Sequence, residues 1–258
     1  MGIIEKYSEG VLYYQLELFN SIDYVNHLFT TRIGWSNENI PDKISSIFNV
    51  PKSNIINVNQ VHGTDIIIVN SKTKDFRGFS KKEGDGLITN IPNLVLMTSH
   101  ADCVPIYFLD QKKKVIGIAH GGWRGTYNNI SGKMIDNMKN IYGSKTKDIL
   151  VGIGPSIGPC CYEIGHDLGE KFIKRYGKFK NIIQKKDNKL FLDLWKVNYL
   201  QVTDKGIEPE NIALSKACTS CKIDKFYSYR KERGIKNRMI AAISLDIFPS
   251  LNEEASLQ

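Results

Sequence analysis

Three side chains with metal-binding chemistry stand at ends of β-prone runs: His62, Cys103 and His120, the two histidines each directly before a glycine. A thiolate and two neutral imidazoles suit zinc, and three protein ligands leave a fourth position for water, as catalytic rather than structural sites do. Spacing alone does not bring the three together. The same residues also fit a metal-free hydrolase with Cys103 as nucleophile and His120 or His62 as base. Two carboxylates lie near them in sequence. Asp102 precedes Cys103, and Asp85 sits in the turn Glu83-Gly84-Asp85-Gly86. Either could move a proton or orient a ligand histidine, although an aspartate in such a turn ordinarily bonds its own backbone. Arg32 beside Gly34, and Arg124 within Gly121-Gly122-Trp123-Arg124-Gly125, are candidate anion contacts. His100 falls on the opposite strand face from Cys103 if the segment is extended, so it is not counted as a ligand.

The remaining thiols give weaker signals. Cys160 and Cys161 are adjacent, cannot easily pair with each other, and read as small buried fillers. Cys218 and Cys221 form a CxxC, half of a zinc ribbon, but no second CxxC or histidine pair stands at ribbon spacing. Five cysteines with no export signal argue for thiols rather than a disulfide framework.

The elements that must position these residues follow from hydrophobic period. Strands are expected at Val11 to Leu18, Val25 to Thr31, Ile66 to Val69, Leu94 to Met97, Ile106 to Leu109, Val115 to Ala119, Ile149 to Ile153, Ile212 to Leu214 and Met239 to Leu245. Asp110 to Lys114 is too polar to bury and reads as a turn. Gly121 and Gly122 permit positive φ and close backbone approach. Thr126 is the expected N-cap of a helix whose apolar positions are Ile130, Met134, Met138 and Ile141, with Gly143 ending it. Further helices are expected after Asn39, from His166 to Tyr176, and from Leu192 to Lys205. Two Gly-Pro pairs make residues 154–159 a rigid loop, the stretch from Ser71 to Lys82 reads as polar loop, and Asn252 to Gln258 reads as a frayed tail. Strands outnumber helices at mixed spacing, so the fold class is α+β, in one domain spanning 1–258.

Composition limits the function classes. The charge of +8 comes from 35 basic and 27 acidic side chains, with the lysines scattered. That is a solvated surface, without the basic stripe and interleaved aromatics of a nucleic-acid binder. No apolar run spans a bilayer and no secretory signal opens the chain, so a cytoplasmic protein with neither membrane nor nucleic-acid partner is expected. The oligomeric state is not readable, with a monomer as the default.

Several long blocks, in order, carry a resemblance: Asn59-Gln60-Val61-His62-Gly63, Asp85-Gly86-Leu87-Ile88-Thr89, Ala101-Asp102-Cys103-Val104-Pro105, His120-Gly121-Gly122-Trp123-Arg124-Gly125, Pro159-Cys160-Cys161-Tyr162-Glu163, and Cys218-Thr219 with Phe226-Tyr227-Ser228-Tyr229-Arg230. Together they resemble the YfiH/YlmD family, also called the laccase-domain or multicopper polyphenol oxidase family. Gly121 stands where alanine is common, and Lys236-Asn237-Arg238 where Thr-Gly-Arg is expected. The resemblance implies a layered mixed-sheet core with helices outside, related to cysteine-hydrolase-like toxin domains. It implies zinc on His62, Cys103 and His120, with copper as the competing metal. It also implies phosphorolysis of adenosine, inosine, guanosine and methylthioadenosine, together with adenosine deamination. Purine nucleosides and phosphate are then the partners; Gln60, Arg32, Arg124 and Arg230 are candidate substrate contacts, and Asp85 and Asp102 join Cys103, His62 and His120 as candidate catalytic groups.

Two alternatives remain. The older family name implies polyphenol oxidation, but a multicopper cluster needs many imidazoles, commonly as His-x-His, and this chain has five histidines and no such pair. A cysteine hydrolase acting in peptidoglycan-precursor editing is the other.

Overall fold

A computed structural model describes residues 2–70 and 79–246. Most of the polar loop expected at 71–82 and the tail at 252–258 lie outside the described residues.

Two six-stranded sheets carry the architecture. The first orders its strands Ile3–Ser8, Val11–Leu16, Val25–Thr30, Met239–Leu245, Val95–His100 and Ile55–Ile56; the second orders Ile212–Leu214, Ile149–Ile153, Val104–Asp110, Val115–Gly121, Gly86–Thr89 and Ile66–Val69. Both mix parallel and antiparallel pairs. Alternation along each strand sorts side chains between layers. In the second sheet Tyr107 and Leu109 join Phe29, Leu96 and Ala241 of the first sheet in one core between the sheets. Val104, Ile106 and Phe108 face the other way, onto helices Ile130–Tyr142, His166–Tyr176 and Leu194–Asp204. The far side of the first sheet packs Val11, Leu28 and Val95 on helix Ile40–Phe48 through Ile44 and Phe48. The result is helix, sheet, sheet, helices, an α+β arrangement in which the second sheet is buried on both faces. This explains why its strands read as unbroken apolar runs.

One hairpin places the candidate site. Strands Val104–Asp110 and Val115–Gly121 pair from Asp110↔Val115 to Val104↔Gly121. The polar turn expected between them forms, because the Asp110 carboxylate accepts the backbone N–H groups of Lys112 and Lys113, both at 2.9 Å. The turn sets the register, and the register brings the open end of the hairpin, with Cys103 and His120, to one edge. Gly86↔Ala119 pairing then brings in Asp85, and parallel Ile66↔Gly86 pairing brings in the loop holding His62.

Several expectations need correction. Thr126 is not an N-cap: a short helix, Trp123–Tyr127, begins directly after the strand, and Thr126 lies buried inside it. The long helix starts instead at Asn129, whose side chain accepts from the Gly132 N–H while its backbone takes φ 63°. Asparagine tolerates that left-handed geometry and caps well, so one residue both breaks the first helix and starts the second. Ile141 is 50% exposed and so is off the core face. Gly121 and Gly122 are not among the positive-φ glycines. The strand at Val95 runs on to His100, and the helix expected from Leu192 starts at Leu194 behind an Asp193 cap. A hairpin of Ile183–Lys186 and Lys189–Leu192 was not expected, since its outward face, including Lys185 and Lys186, reads as a charge run.

Candidate metal centre and active site

His62, Cys103 and His120 come together. Each offers a ligand atom, and these atoms all lie within 4.8 Å of one another. The two imidazole rings sit 4.8 Å apart, edge to face. Gly122 makes room for the group: a Cβ there would stand 2.9 Å from His62 Nδ1 and 3.2 Å from Cys103 Sγ, so any larger residue would invade the space between the ligands. Its glycine requirement is close approach alone. Among the described residues the donor set, the three-ligand count and this cradle fit a zinc ion with an open position.

Asp85 organises two of the three ligands. It is fully buried, and its Oδ1 accepts from His120 Nδ1 at 2.8 Å and from the His62 backbone N–H at 3.0 Å. Its Oδ2 accepts the backbone N–H groups of Gly63 at 2.6 Å and Val61 at 3.2 Å. The carboxylate thus bonds neighbouring loops rather than its own turn, holds His62 in a left-handed conformation at φ 58°, and leaves His120 Nε2 for an ion. Burial alone would raise the Asp85 pKa, but the His120 hydrogen bond and charge outweigh it and lower it. Burial likewise pushes the Cys103 thiol up, yet the neighbouring His120 and His62 bring it down to about 6. For His120 burial acts downward, and the Cys103 and Asp85 charges raise it to about 9. Both shifts favour a thiolate beside an imidazolium, and a metal ion held here would take the place of the imidazolium proton.

His100 stands beside this group, its ring 5.3 Å from His120, but is not a ligand. Its Nδ1 meets the Cys103 carbonyl at 3.1 Å and its Nε2 meets Thr98 Oγ1 at 2.8 Å. Burial, reinforced by the His120 charge, holds its pKa well below the usual range. The neutral ring packs behind His120 and does not line the cavity.

A cavity of about 790 Å³ opens on the three ligands and is lined also by Gln60, Asp102, Arg124, Arg230, Arg238, Tyr162 and Tyr229. These residues are not equally available to a ligand. Gln60 spends its amide on the Ser99 backbone, donating to the carbonyl at 3.0 Å and accepting the N–H at 2.7 Å. Asp102, with φ 84°, accepts Thr219 Oγ1 at 2.6 Å, Ser228 Oγ at 3.0 Å and the Arg230 N–H at 2.7 Å, so its carboxylate is committed to holding two loops. Arg32 does not line the cavity: it pairs with Glu232 at 2.9 Å, bonds the Ile223 carbonyl and lies 4.6 Å over the Tyr227 ring. Glu232 in turn accepts the Ser228 N–H at 2.8 Å, so Arg32 braces the turn that grips Asp102. Arg124 differs. Its guanidinium rests 4.5 Å from the Trp123 ring centroid and makes no side-chain hydrogen bond or ion pair among the described residues, so its donors are free toward the cavity. Arg230 lies 5.0 Å over the Tyr162 ring and gives one donor to the Glu163 carbonyl at 2.6 Å.

Tyr162, Tyr229 and Arg238 line the cavity without having been singled out as site residues in the sequence, although all three fall in or beside the resemblance blocks. An aromatic next to an arginine at Tyr229-Arg230, 55% exposed at the tyrosine, was the available signal. Burial and the Cys103 charge raise the Tyr162 hydroxyl to about 12, against the lowering effect of the arginines.

Residues 37–246 match the family described as multi-copper polyphenol oxidoreductase laccase. A purine nucleoside phosphorylase YlmD of Geobacillus stearothermophilus is 36% identical over 193 residues, covering 71% of this chain and 69% of its own length. A purine nucleoside phosphorylase of Staphylococcus saprophyticus is 31% identical over 256 residues, 94% of this chain and 90% of its own. The crystal structure of YlmD from Geobacillus stearothermophilus superposes with a TM-score of 0.83 at 27% identity, over 96% of this chain and all of that one. On these matches, which run over most of its length and all of the site, the chain belongs to the laccase-domain family of YfiH/YlmD-type proteins.

Proposed function

We propose that the protein is a zinc-dependent purine nucleoside phosphorylase that also deaminates adenosine, using adenosine, inosine, guanosine and methylthioadenosine. The observation that carries this reading is the free Arg124 guanidinium in the same cavity as the His62, Cys103 and His120 group. In phosphorolysis a phosphate oxygen bonds ribose C1′ as the glycosidic C–N bond breaks, and the purine leaves with the electron pair and takes up a proton. Arg124 supplies a planar fork for the phosphate oxygens, joined by the remaining donors of Arg230; Arg238 spends its Nη1 on the Ile235 and Asn237 carbonyls and is left as a nearby positive charge. Tyr229 and Tyr162 offer aromatic faces to the base. Zinc bound by His62, Cys103 and His120 supplies Lewis acidity and lowers the pKa of water, which deamination needs. Asp85 keeps the His120 ring aimed, and Asp102 keeps the loop bearing Arg230 in place.

The family's description names polyphenol oxidation, and the histidines argue against a multicopper cluster. His27 accepts the Leu16 N–H inside the core at 2.7 Å, His100 is bonded on both nitrogens, and His166 begins a distant helix, so two imidazoles remain beside Cys103. A second reading has its own support. Asp85, His120 and Cys103 stand in the order carboxylate, imidazole, thiol, which is the arrangement of a metal-free cysteine hydrolase.

The test uses Arg124→Lys, which keeps the charge and loses the fork. Phosphorolysis of inosine should fall by roughly 1.5 to 3 kcal/mol of transition-state stabilisation, with deamination of adenosine reduced much less. Chromatography of adenosine with and without phosphate reads both, since adenine and ribose phosphate report one reaction and inosine the other. Equal loss of both would remove Arg124 from the phosphate site. Turnover of neither nucleoside, with thioester or amide substrates hydrolysed instead, would move the reading to the hydrolase.

A further inference from the structure

Four sulfurs meet at a second place, away from the cavity. Strands Ile149–Ile153 and Ile212–Leu214 pair in parallel, Val151↔Ile212 to Ile153↔Leu214, so their trailing loops leave the sheet at the same end. A bridge at Ser156↔Cys218 carries the pairing into the loops, with the Thr219 N–H on the Ser156 carbonyl at 3.1 Å. One loop brings Cys160 and Cys161 and the other brings Cys218 and Cys221, sixty-one positions apart between Cys160 and Cys221. The Sγ atoms of all four lie within 4.8 Å of one another, with Cys160 to Cys221 at 3.5 Å and Cys161 to Cys221 at 3.4 Å.

This geometry excludes the simpler readings. Cys160 and Cys221 are exposed and Cys161 is partly so, which is wrong for buried fillers. A disulfide would use two of the sulfurs and leave two without a reason to converge. An iron–sulfur cluster interposes several atoms and spreads its cysteines more widely than 4.8 Å. Sulfurs bound at about 2.3 Å to one tetrahedral ion lie about 3.8 Å from each other, which is the spread seen. The backbone contributes as well: the Gly158 N–H donates to Cys218 Sγ at 3.2 Å, the kind of N–H to sulfur bond that orients and stabilises a metal-bound thiolate.

We propose that Cys160, Cys161, Cys218 and Cys221 bind one zinc ion in a closed tetrathiolate site, independent of the His62, Cys103 and His120 centre. Four protein ligands leave no open position, so the role is structural. What it locks is specific. The first loop carries Ile157 and Tyr162 of the cavity wall, and the second carries Thr219, which holds Asp102, and leads to Tyr229 and Arg230. The ion therefore clips together the two loops that frame one side of the cavity.

Plasma mass spectrometry on protein from zinc-replete growth tests this. Wild type should hold two zinc ions per chain, the Cys218→Ser/Cys221→Ser double variant one, and Cys103→Ser one. A single ion that stays in Cys103→Ser and leaves in the double variant would support this site while counting against the catalytic zinc, so the two proposals fail separately. If the double variant does not fold, cobalt-substituted Cys103→Ser decides, because a four-thiolate charge-transfer spectrum should persist there. Zinc content unchanged in the double variant, iron in place of zinc, or a native mass two hydrogens light from a disulfide among the four would overturn the assignment.

Discussion

The two cysteine-containing clusters gather ligands in opposite ways. His62 comes from a loop and Cys103 and His120 from the open end of one hairpin; a fully buried aspartate orients the two histidines, and the group faces a cavity of about 790 Å³. Cys160, Cys161, Cys218 and Cys221 come from two loops at the end of one parallel strand pair, and none of them lines that cavity. The first group mixes nitrogen and sulfur, would leave one position of a tetrahedral ion open, and has its His120 ring held by Asp85; the second is sulfur alone and would fill all four positions. Openness and a supporting carboxylate belong to chemistry, and closure belongs to a clamp. The clamp nonetheless reaches the chemistry, because the loops it would join carry Tyr162 and the bond from Thr219 to Asp102.

Breaking the first cluster should give the largest effect. Cys103→Ala removes one of the three proposed ligands, so nucleoside turnover should fall by about a thousandfold or more, roughly 4 kcal/mol at 1.36 kcal/mol per tenfold. Metal analysis beside the assay sharpens the comparison, since the tetrathiolate ion should remain. Loss of activity with the catalytic metal still bound would instead favour Cys103 as a nucleophile.

A smaller effect is expected from Asp85→Asn. The amide places an NH₂ where the carboxylate now meets N–H donors from His62, Val61, Gly63 and His120, so at least one contact turns repulsive. Zinc affinity at the catalytic centre should drop about 10- to 100-fold, the range for a lost ligand-orienting partner. Competition with a fluorescent chelator measures it, and unchanged affinity would mean that Asp85 only shapes the loop.

A third test reads stability instead of turnover: it concerns His27, a buried histidine in neither cluster, and separates general acid sensitivity from loss of metal. Burial lowers its pKa from 6.5 to about 3. Between those values the unfolded chain binds the proton and the folded chain does not. Stability should therefore decline as pH falls below about 6.5, by up to about 1.4 kcal/mol per pH unit, and the decline should stop near pH 3. Urea unfolding of metal-free wild type and His27→Gln across that range checks it; parallel curves would show that another group carries the acid sensitivity.

Much of this arrangement is legible along the chain. Strands with period-two or continuous apolar runs, such as Val115 to Ala119 and Met239 to Leu245, fall where hydrophobicity puts them, and the helix His166–Tyr176 has the expected bounds. His62, Cys103 and His120 are nameable because imidazole and thiol near strand ends are metal-ligand chemistry and the resemblance groups the blocks that carry them. Local signals fail where a long-range partner decides the outcome. Thr126 looks like a cap until Asn198 and Gly121 bond its hydroxyl within a helix. Arg32 looks like an anion site until Glu232, 200 positions away, takes its charge. Gln60 and Asp102 look like free polar groups until backbone donors and acceptors from other loops fill them.

The four cysteines show the division most plainly. The sequence by itself determined two short motifs, an adjacent pair and a CxxC, along with the strand that precedes each. Neither motif can state that the other is its complement, because no local geometry couples residues some sixty positions apart. The parallel pairing of Ile149–Ile153 with Ile212–Leu214 couples them, by sending both loops off the same end of the sheet. The three-ligand centre has the same logic: residue chemistry was written in the chain, whereas the meeting of His62, Cys103 and His120 was decided by hairpin register and by Asp85, whose buried charge finds enough donors only once the strands have paired.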